Sequence, residues 1–252
     1  MAMIDGRVRI AALGDLHHGR TGQTLNVPAL LARVAEDADL LLLCGDLTDT
    51  GLPEEARALA KELAGLMLPV VGVLGNHDYE SGRADELKRI FADAGVTILD
   101  GEAYEVLGVG IAGVKGFAGG FGRRALGPWG EEAIKRFVHE ALDEALKLES
   151  ALARLRSEPR VVLLHYAPIQ GTVEGEPPEI YAFLGSSRLE EPLSRYPVDA
   201  VFHGHAHHGQ PEGRTMGGVP VYNVSIALLQ RTFPDRPPFR LLELPVRLAK
   251  GS

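Results

Sequence analysis

Cysteine is nearly missing from this sequence: Cys44 is the one thiol among 252 residues. A lone thiol excludes an internal disulfide and a thiolate-built metal site, and it fits a reducing compartment. Basic residues are in deficit as well, 26 Lys and Arg against 34 Asp and Glu for a formal net charge of −8. That balance removes the broad cationic face that duplex nucleic acid requires. There is no cationic stretch followed by an apolar run and a small-residue cleavage site, and no segment approaches the length of a membrane span. These absences predict a cytoplasmic protein with no membrane partner. A G-x-S-x-G elbow, a G-x-x-x-x-G-K-S/T phosphate loop and a reactive cysteine context are also lacking, so no covalent protein nucleophile is expected. Neither repeats nor low-complexity segments occur, and the loops at 171–179 and 209–218 are too short for interdomain linkers. Residues 1–252 are therefore expected to form a single domain, with 45% hydrophobic residues available for its core.

What is present is a series of short apolar runs that break off at Gly, His or Asn, at 8–15, 40–46, 70–77, 160–166 and 199–205. They read as buried strands. Helical periodicity occupies 26–37, 53–66, where Pro53 suits a first turn, and 84–95. Such alternation argues for an α/β architecture. A further strand-rich group, 104–114, 219–225 and 239–246, has little helix between its members and predicts a second, partly antiparallel sheet. Residues 130–158 predict one long helix with an apolar stripe at Ile134, Val138, Ala141, Leu142 and Leu146 and with solvated charges.

Polar residues collect where the runs end, in "GDLHHG", "GDLTDTG", "GNHD", "LLHYAP" and "HGHAHHG". In open α/β sheets the carboxyl ends of strands share one edge, so Asp15, His17, Asp46, Asn76, His77, His165, His205 and His207 are placed to converge. Of nine histidines only His139 lies outside these clusters. Each residue alone has a plainer use: Asp15 or Asp46 after a glycine can cap a helix or shape a turn, and a single histidine is commonly a hydrogen-bonded core residue. Capping does not explain imidazole at His17, His77, His165, His205 and His207, whereas metal binding does. Oxygen and imidazole donors without thiolate suit Mn²⁺, Fe or Zn²⁺, and so many ligands suit two ions sharing a carboxylate.

The ordered series D-x-H at 15–17, G-D at 45–46, G-N-H-D at 75–78, a lone His at 165 and G-H-x-H at 204–207 resembles the calcineurin-like metallophosphoesterases. That resemblance implies a four-layer α/β/β/α sandwich with two mixed β-sheets flanked by helices. It also implies two divalent transition-metal ions per chain, Mn²⁺ in the first place and Fe or Zn²⁺ as alternatives. Carried over by position, Asp15, His17 and His207 hold one ion, Asn76, His165 and His205 the other, and Asp46 bridges them. His77 is left to face the substrate as general acid, with Asp49 orienting it, while Asp78 stabilises the loop. The implied chemistry is in-line hydrolysis of a phosphoester by a water acidified between the ions.

"HGHAHH" (203–208) also resembles the H-x-H-x-D-H of metallo-β-lactamase folds, but it lacks the Asp, and such a site would leave "GD" and "GNHD" unexplained. His18, His203 and His208 are accordingly flanking residues. In the glycine-rich "KGFAGGFGRR" (115–124), Arg123 and Arg124 either grip a phosphate oxygen of the substrate or are solvated. Phe117, Phe121 and Trp129 nearby either stack on a base or plug a core edge. A metal-retaining binding scaffold is the non-catalytic alternative, but such proteins usually lose residues like His77. The chain length and the "GNHD" form favour a small-molecule or nucleotide phosphodiester as substrate, with phosphomonoester hydrolysis as the alternative. Neither duplex nucleic acid nor membrane is an expected partner.

Overall fold

The computed structural model describes residues 6–22 and 25–246. In chain order its main elements are β1 (Arg7–Leu13), α1 (Val27–Asp37), β2 (Leu40–Cys44), α2 (Pro53–Leu63), β3 (Val70–Val73), α3 (Asn76–Tyr79), α4 (Ala84–Asp93), β4 (Val96–Ile98), β5 (Glu102–Val106), β6 (Val109–Gly113), α5 (Glu132–Arg154), β7 (Arg160–Leu163), α6 (Tyr181–Leu184), α7 (Glu190–Arg195), β8 (Ala200–His203), β9 (Glu212–Arg214), β10 (Pro220–Asn223), α8 (Ile226–Thr232) and β11 (Arg240–Pro245). The strands form two mixed sheets, ordered β11-β1-β2-β3-β4 and β5-β6-β7-β8-β10-β9.

Alternating side chains of β1 and β2 serve two different cores, because successive residues of a strand point to opposite faces. Ala11, Leu13, Leu41 and Leu43 pack with Leu30, Leu59 and Phe91 of the outer helices. Ile10, Ala12, Leu40 and Leu42 pack across onto Ile111, Val161, Leu163 and Phe202 of the second sheet. Beyond that sheet, Ala112, Val162 and Val201 meet Leu148 and Leu152 of α5 and Leu193 of α7. Four layers result, helix over sheet over sheet over helix. Burial on both faces is why these strands read as unbroken apolar runs.

Four expectations are corrected. Residues 104–114 are a hairpin, not one strand: Leu107 and Gly108 take φ of 52° and 78°, and Glu102–Val106 folds back on Val109–Gly113. Residues 239–246 join the first sheet, where β11 pairs antiparallel with β1 from Arg7↔Pro245 to Ala12↔Arg240, while β7 and β8 lie in the second. In the stretch 209–218, Glu212–Arg214 pairs with β10. On α5 the buried stripe is Val138, Ala141, Ala145, Leu148 and Leu152, and Ile134 and Leu146 are exposed. Glu144, on that same face, is buried rather than solvated. It accepts the Gly116 N–H at 2.7 Å and Lys147 Nζ at 2.7 Å.

Candidate metal centre

β1, β2 and β3 run parallel in one sheet and β7 and β8 in the other, so their carboxyl ends meet at one edge. There the backbone is strained. Asp15, His17, Asp46 and His205 adopt φ of 59°, 43°, 48° and 69°, and Leu107 is the one other non-glycine residue with positive φ among the described residues. Such conformations are sparsely populated for non-glycine residues and persist where the surroundings over-determine them. The glycines of the "GN" and "GH" pairs clear space for the ligands themselves. A Cβ on Gly75 would collide with Asp46 Oδ1, and one on Gly204 would come within 2.5 Å of Asp15 Oδ2.

Two clusters form. Asp15, His17 and His207 offer ligand atoms within 4.8 Å of one another, and so do Asp46, His165 and His205. In the first, His207 Nε2 lies 3.2 Å from Asp15 Oδ1; in the second, His165 Nε2 lies 2.8 Å from Asn76 Oδ1. Asp46 faces both, with Oδ2 at 3.8 Å from His17 Nε2 and Oδ1 at 3.4 Å from His165 Nε2. Backbone N–H groups fix the carboxylates: His77 N–H donates to Asp46 Oδ1 at 2.9 Å, and His205 N–H reaches both Asp15 oxygens at 3.0 Å.

The polar atoms of these clusters are not satisfied by protein alone. Both ring nitrogens of buried His17 lack a hydrogen-bond partner; Asp49 Oδ1 stands 3.3 Å from Nδ1 but out of hydrogen-bonding geometry. His165 has Nδ1 at 2.9 Å from the Cys44 carbonyl and Nε2 at 2.8 Å from the Asn76 side-chain oxygen. A neutral imidazole donates from one nitrogen only, so either tautomer sets a lone pair against an oxygen. An imidazolium would donate from both, but burial, with His205 next, holds His165 well below the usual histidine range. A cation at Nε2 removes the conflict, with Nδ1–H donating to Cys44. His203 is the control: equally buried, it pairs Nδ1 with the Gly204 carbonyl and Nε2 with the Thr172 hydroxyl, both at 2.8 Å. The residues present thus fit bound cations.

Charge and burial set the protonation states. Burial pushes His17 down to about 4 against the pull of Asp15, and burial likewise lowers His205, so these imidazoles are neutral at pH 7. Burial alone would raise Asp15, but the hydrogen bond and charge of His207 outweigh it and hold Asp15 below the usual carboxylate range. Asp46 is pushed well up by burial and then by Asp15 and Asp78. Below that raised value, occupying a bridging position would release a proton.

Of the remaining sequence candidates, His77 is half-exposed at the mouth and donates Nδ1–H to the backbone carbonyl of Asp49 at 2.6 Å. The Asp49 carboxylate lies 3.3 Å from His17 Nδ1 and within 4.8 Å of a His77 ring nitrogen. Asp78 is buried and accepts from Leu47, Thr48 and Gly75 N–H and from the Thr48 hydroxyl, tying the β2 and β3 loops together. His18 stands 3.5 Å from Glu62, and exposed His208 packs beside Arg231. Arg123 and Arg124 lie exposed in a short 3-10 turn, outside every contact described for the two clusters. Sequence reasoning missed Asn223, whose Nδ2 holds the Ala206 carbonyl at 2.7 Å between His205 and His207. A polar residue ending the apolar run "VPVYN" was the available signal. It also missed the Phe183 carbonyl, 3.1 Å from His205 Nε2, for which no signal exists.

The chain is similar to the phosphopantetheinyl hydrolase PptH from Mycobacterium tuberculosis, with a TM-score of 0.69 at 18% identity over 98% of this chain and 100% of that one. It is also similar to TT1561 of Thermus thermophilus, at 0.54 and 17% over 95% and 99%, and to purple acid phosphatase PPD1 of yellow lupin, at 0.53 and 15% over 81% of this chain and 38% of that one. At these identities the likeness is one of fold. No match was found among curated proteins. Among the described residues no helix is long and apolar enough to cross a membrane. A family model for calcineurin-like phosphoesterases matches residues 8–209, a stretch that contains every residue of both clusters. The chain therefore belongs to the calcineurin-like phosphoesterases, hydrolases of phosphoester bonds that typically work with two divalent metal ions.

Proposed function

We propose that this protein is a phosphodiesterase acting on a small-molecule or nucleotide diester. Asp15, His17 and His207 hold one divalent ion, Asn76, His165 and His205 a second, and Asp46 bridges them; the thiolate-free donor set favours Mn²⁺, with Fe or Zn²⁺ as alternatives. When held there, two ions would supply an acidified water and offset charge on the phosphoryl oxygens. The observation that carries this assignment is the two-faced position of Asp46, one oxygen toward His17 and the other toward His165.

His77 is the proton donor. Its Nδ1–H is committed to the Asp49 carbonyl, which leaves Nε2 to face the leaving oxygen. Its ring centroid stands 4.5 Å from that of His17, and the residue is half-exposed where substrate enters. As imidazolium it gives its Nε2 proton to the departing alkoxide while the P–O bond breaks. PptH, of the same fold, bears a phosphopantetheinyl substrate in its name. Phosphopantetheinyl esters of serine are diesters, so a phosphopantetheinylated carrier protein belongs in the substrate panel.

The test compares leaving groups in the metal-loaded protein. An aryl diester such as bis(p-nitrophenyl) phosphate expels a stable phenolate unaided, whereas an alkyl or ribose oxygen needs the proton. His77→Ala is expected to slow alkyl diesters by about 10²–10⁴-fold and the aryl diester far less. Equal losses at full metal occupancy would remove the general-acid role. Hydrolysis of monoesters alone would replace the diesterase by a phosphomonoesterase.

A further inference from the structure

Lys115 opens the glycine-rich stretch two residues after the end of β6 at Gly113. Its carbonyl accepts the N–H groups of His165 at 3.0 Å and Tyr166 at 3.1 Å, which locks it to the strand end that carries the metal cluster. Its ammonium lies 5.6, 4.8 and 5.4 Å from the ring centroids of Tyr79, Phe117 and Tyr166. Tyr79 ends the short helix of Asn76 and His77. The Tyr166 ring packs on His165 at 5.4 Å and on His205 at 4.6 Å. Lys115 therefore stands on the wall of the metal centre, one aromatic ring behind its second cluster.

An ammonium has three donors, and Lys115 spends one, on the Gly116 carbonyl at 2.8 Å. Of the acids whose charge reaches it, Glu144, Glu140 and Asp100, the first and last are engaged elsewhere. Glu144 takes the Gly116 N–H and Lys147, and Asp100 takes Lys88 at 2.6 Å and Lys147 at 3.2 Å. A part-buried cation in an aromatic box has lost hydration without gaining a carboxylate, and an anion presented to it is held more strongly than on an open surface. The ammonium's described contacts are to Tyr79, Gly116, Phe117 and Tyr166 and to none of the candidate ligands, so the group it would hold is distinct from a phosphoryl seated among them.

We propose that Lys115 determines specificity by binding a second anionic group of the substrate, a carboxylate or phosphate tethered to the scissile phosphoester. This rests on the phosphoester site described above.

The probes are ω-carboxyalkylphosphonates with two to four methylenes, each paired with the alkylphosphonate of equal length, and a bisphosphonate of the best length. Dissociation constants are measured by calorimetry on the metal-loaded protein. At one tether length the wild type is expected to favour the carboxylated probe about tenfold. Lys115→Met and Lys115→Gln should level the pair and Lys115→Arg should keep most of the preference, with two ions retained in each folded variant. The absence of a preference at every length, or a preference that survives in the charge-free variants, would overturn the role of Lys115. Binding of neither phosphonate class would overturn the phosphoester site and this role together.

Discussion

The two halves of the proposed metal centre differ in how far the fold alone satisfies their polar atoms. The Asp15, His17 and His207 half contains its own anion: Asp15 is held ionised by His207 at 3.2 Å and by two contacts from one backbone N–H. The Asn76, His165 and His205 half has three neutral donors, and at His165 a lone pair faces an oxygen whichever tautomer is drawn. The first half is thus partly satisfied by the fold, while the second stores a conflict that a bound ion removes. Asp46 is the one carboxylate that the second half can use, and it is shared.

Removing that shared carboxylate should have the largest effect. Asp46→Asn is expected to reduce two ions per chain to at most one, with affinity at the second half lowered on the order of 10²-fold or more. The proton count should change as well. Because Asp46 is pushed up in the cation-free protein, metal uptake below that elevated value is expected to release a proton, so wild-type affinity rises with pH until the value is passed. In the cation-free fold the sign is opposite: what protonated Asp46 contributes to stability is present at low pH and lost as pH rises through the elevated value. Calorimetry in buffers of different ionisation heat would count the protons. A variant that binds two ions with wild-type affinity and proton release would break the comparison.

Equalising the halves should have a smaller effect. Asn76→Asp gives the second half an anion of its own and should strengthen its ion binding about tenfold, while Asp15→Asn should weaken the first half by at least as much. Stepwise Mn²⁺ titration reads both. Unchanged spacing between the two affinities in Asn76→Asp would show that carboxylate count does not separate the halves.

The candidate ligands were legible because most follow a glycine or an apolar run at a strand's carboxyl end, and that glycine is required where a Cβ would strike Asp46 or Asp15. Strands buried on both faces were equally plain from their continuous apolar character. Sheet membership was not: β11 completes the first sheet because an edge beside β1 is open to it, a property of the assembled layers and not of "FRLLELP". Glu144 looked like another charge on a charged helix, since its partners, Gly116 and Lys147, become neighbours only after folding. Carbonyl partners were invisible in principle. Cys44, Asp49 and Phe183 each act on a histidine through an oxygen that every residue type possesses.

Asp49 turns that last point into the mildest and most discriminating prediction. Its place after "GD" led to the expectation that its carboxylate orients His77, yet the 2.6 Å contact to His77 Nδ1 comes from its carbonyl, and the carboxylate lies 3.3 Å from His17 Nδ1 in the first half. Asp49→Asn keeps the carbonyl and removes only the charge. His77 should then hold its orientation, and the rate ratio between alkyl and aryl diesters should stay near that of the wild type. The lost anion should instead register at His17. There the Asp49 side chain is partly open to solvent, and a screened charge of this kind alters affinity by at most about fivefold. The two variants at this corner should therefore separate cleanly: His77→Ala costs leaving-group selectivity and spares metal binding, whereas Asp49→Asn slightly weakens metal binding in the first half and spares selectivity. Should Asp49→Asn instead slow alkyl diesters as His77→Ala does, with both ions retained, the carboxylate would be what positions the acid, and the carbonyl contact would have no part in proton transfer.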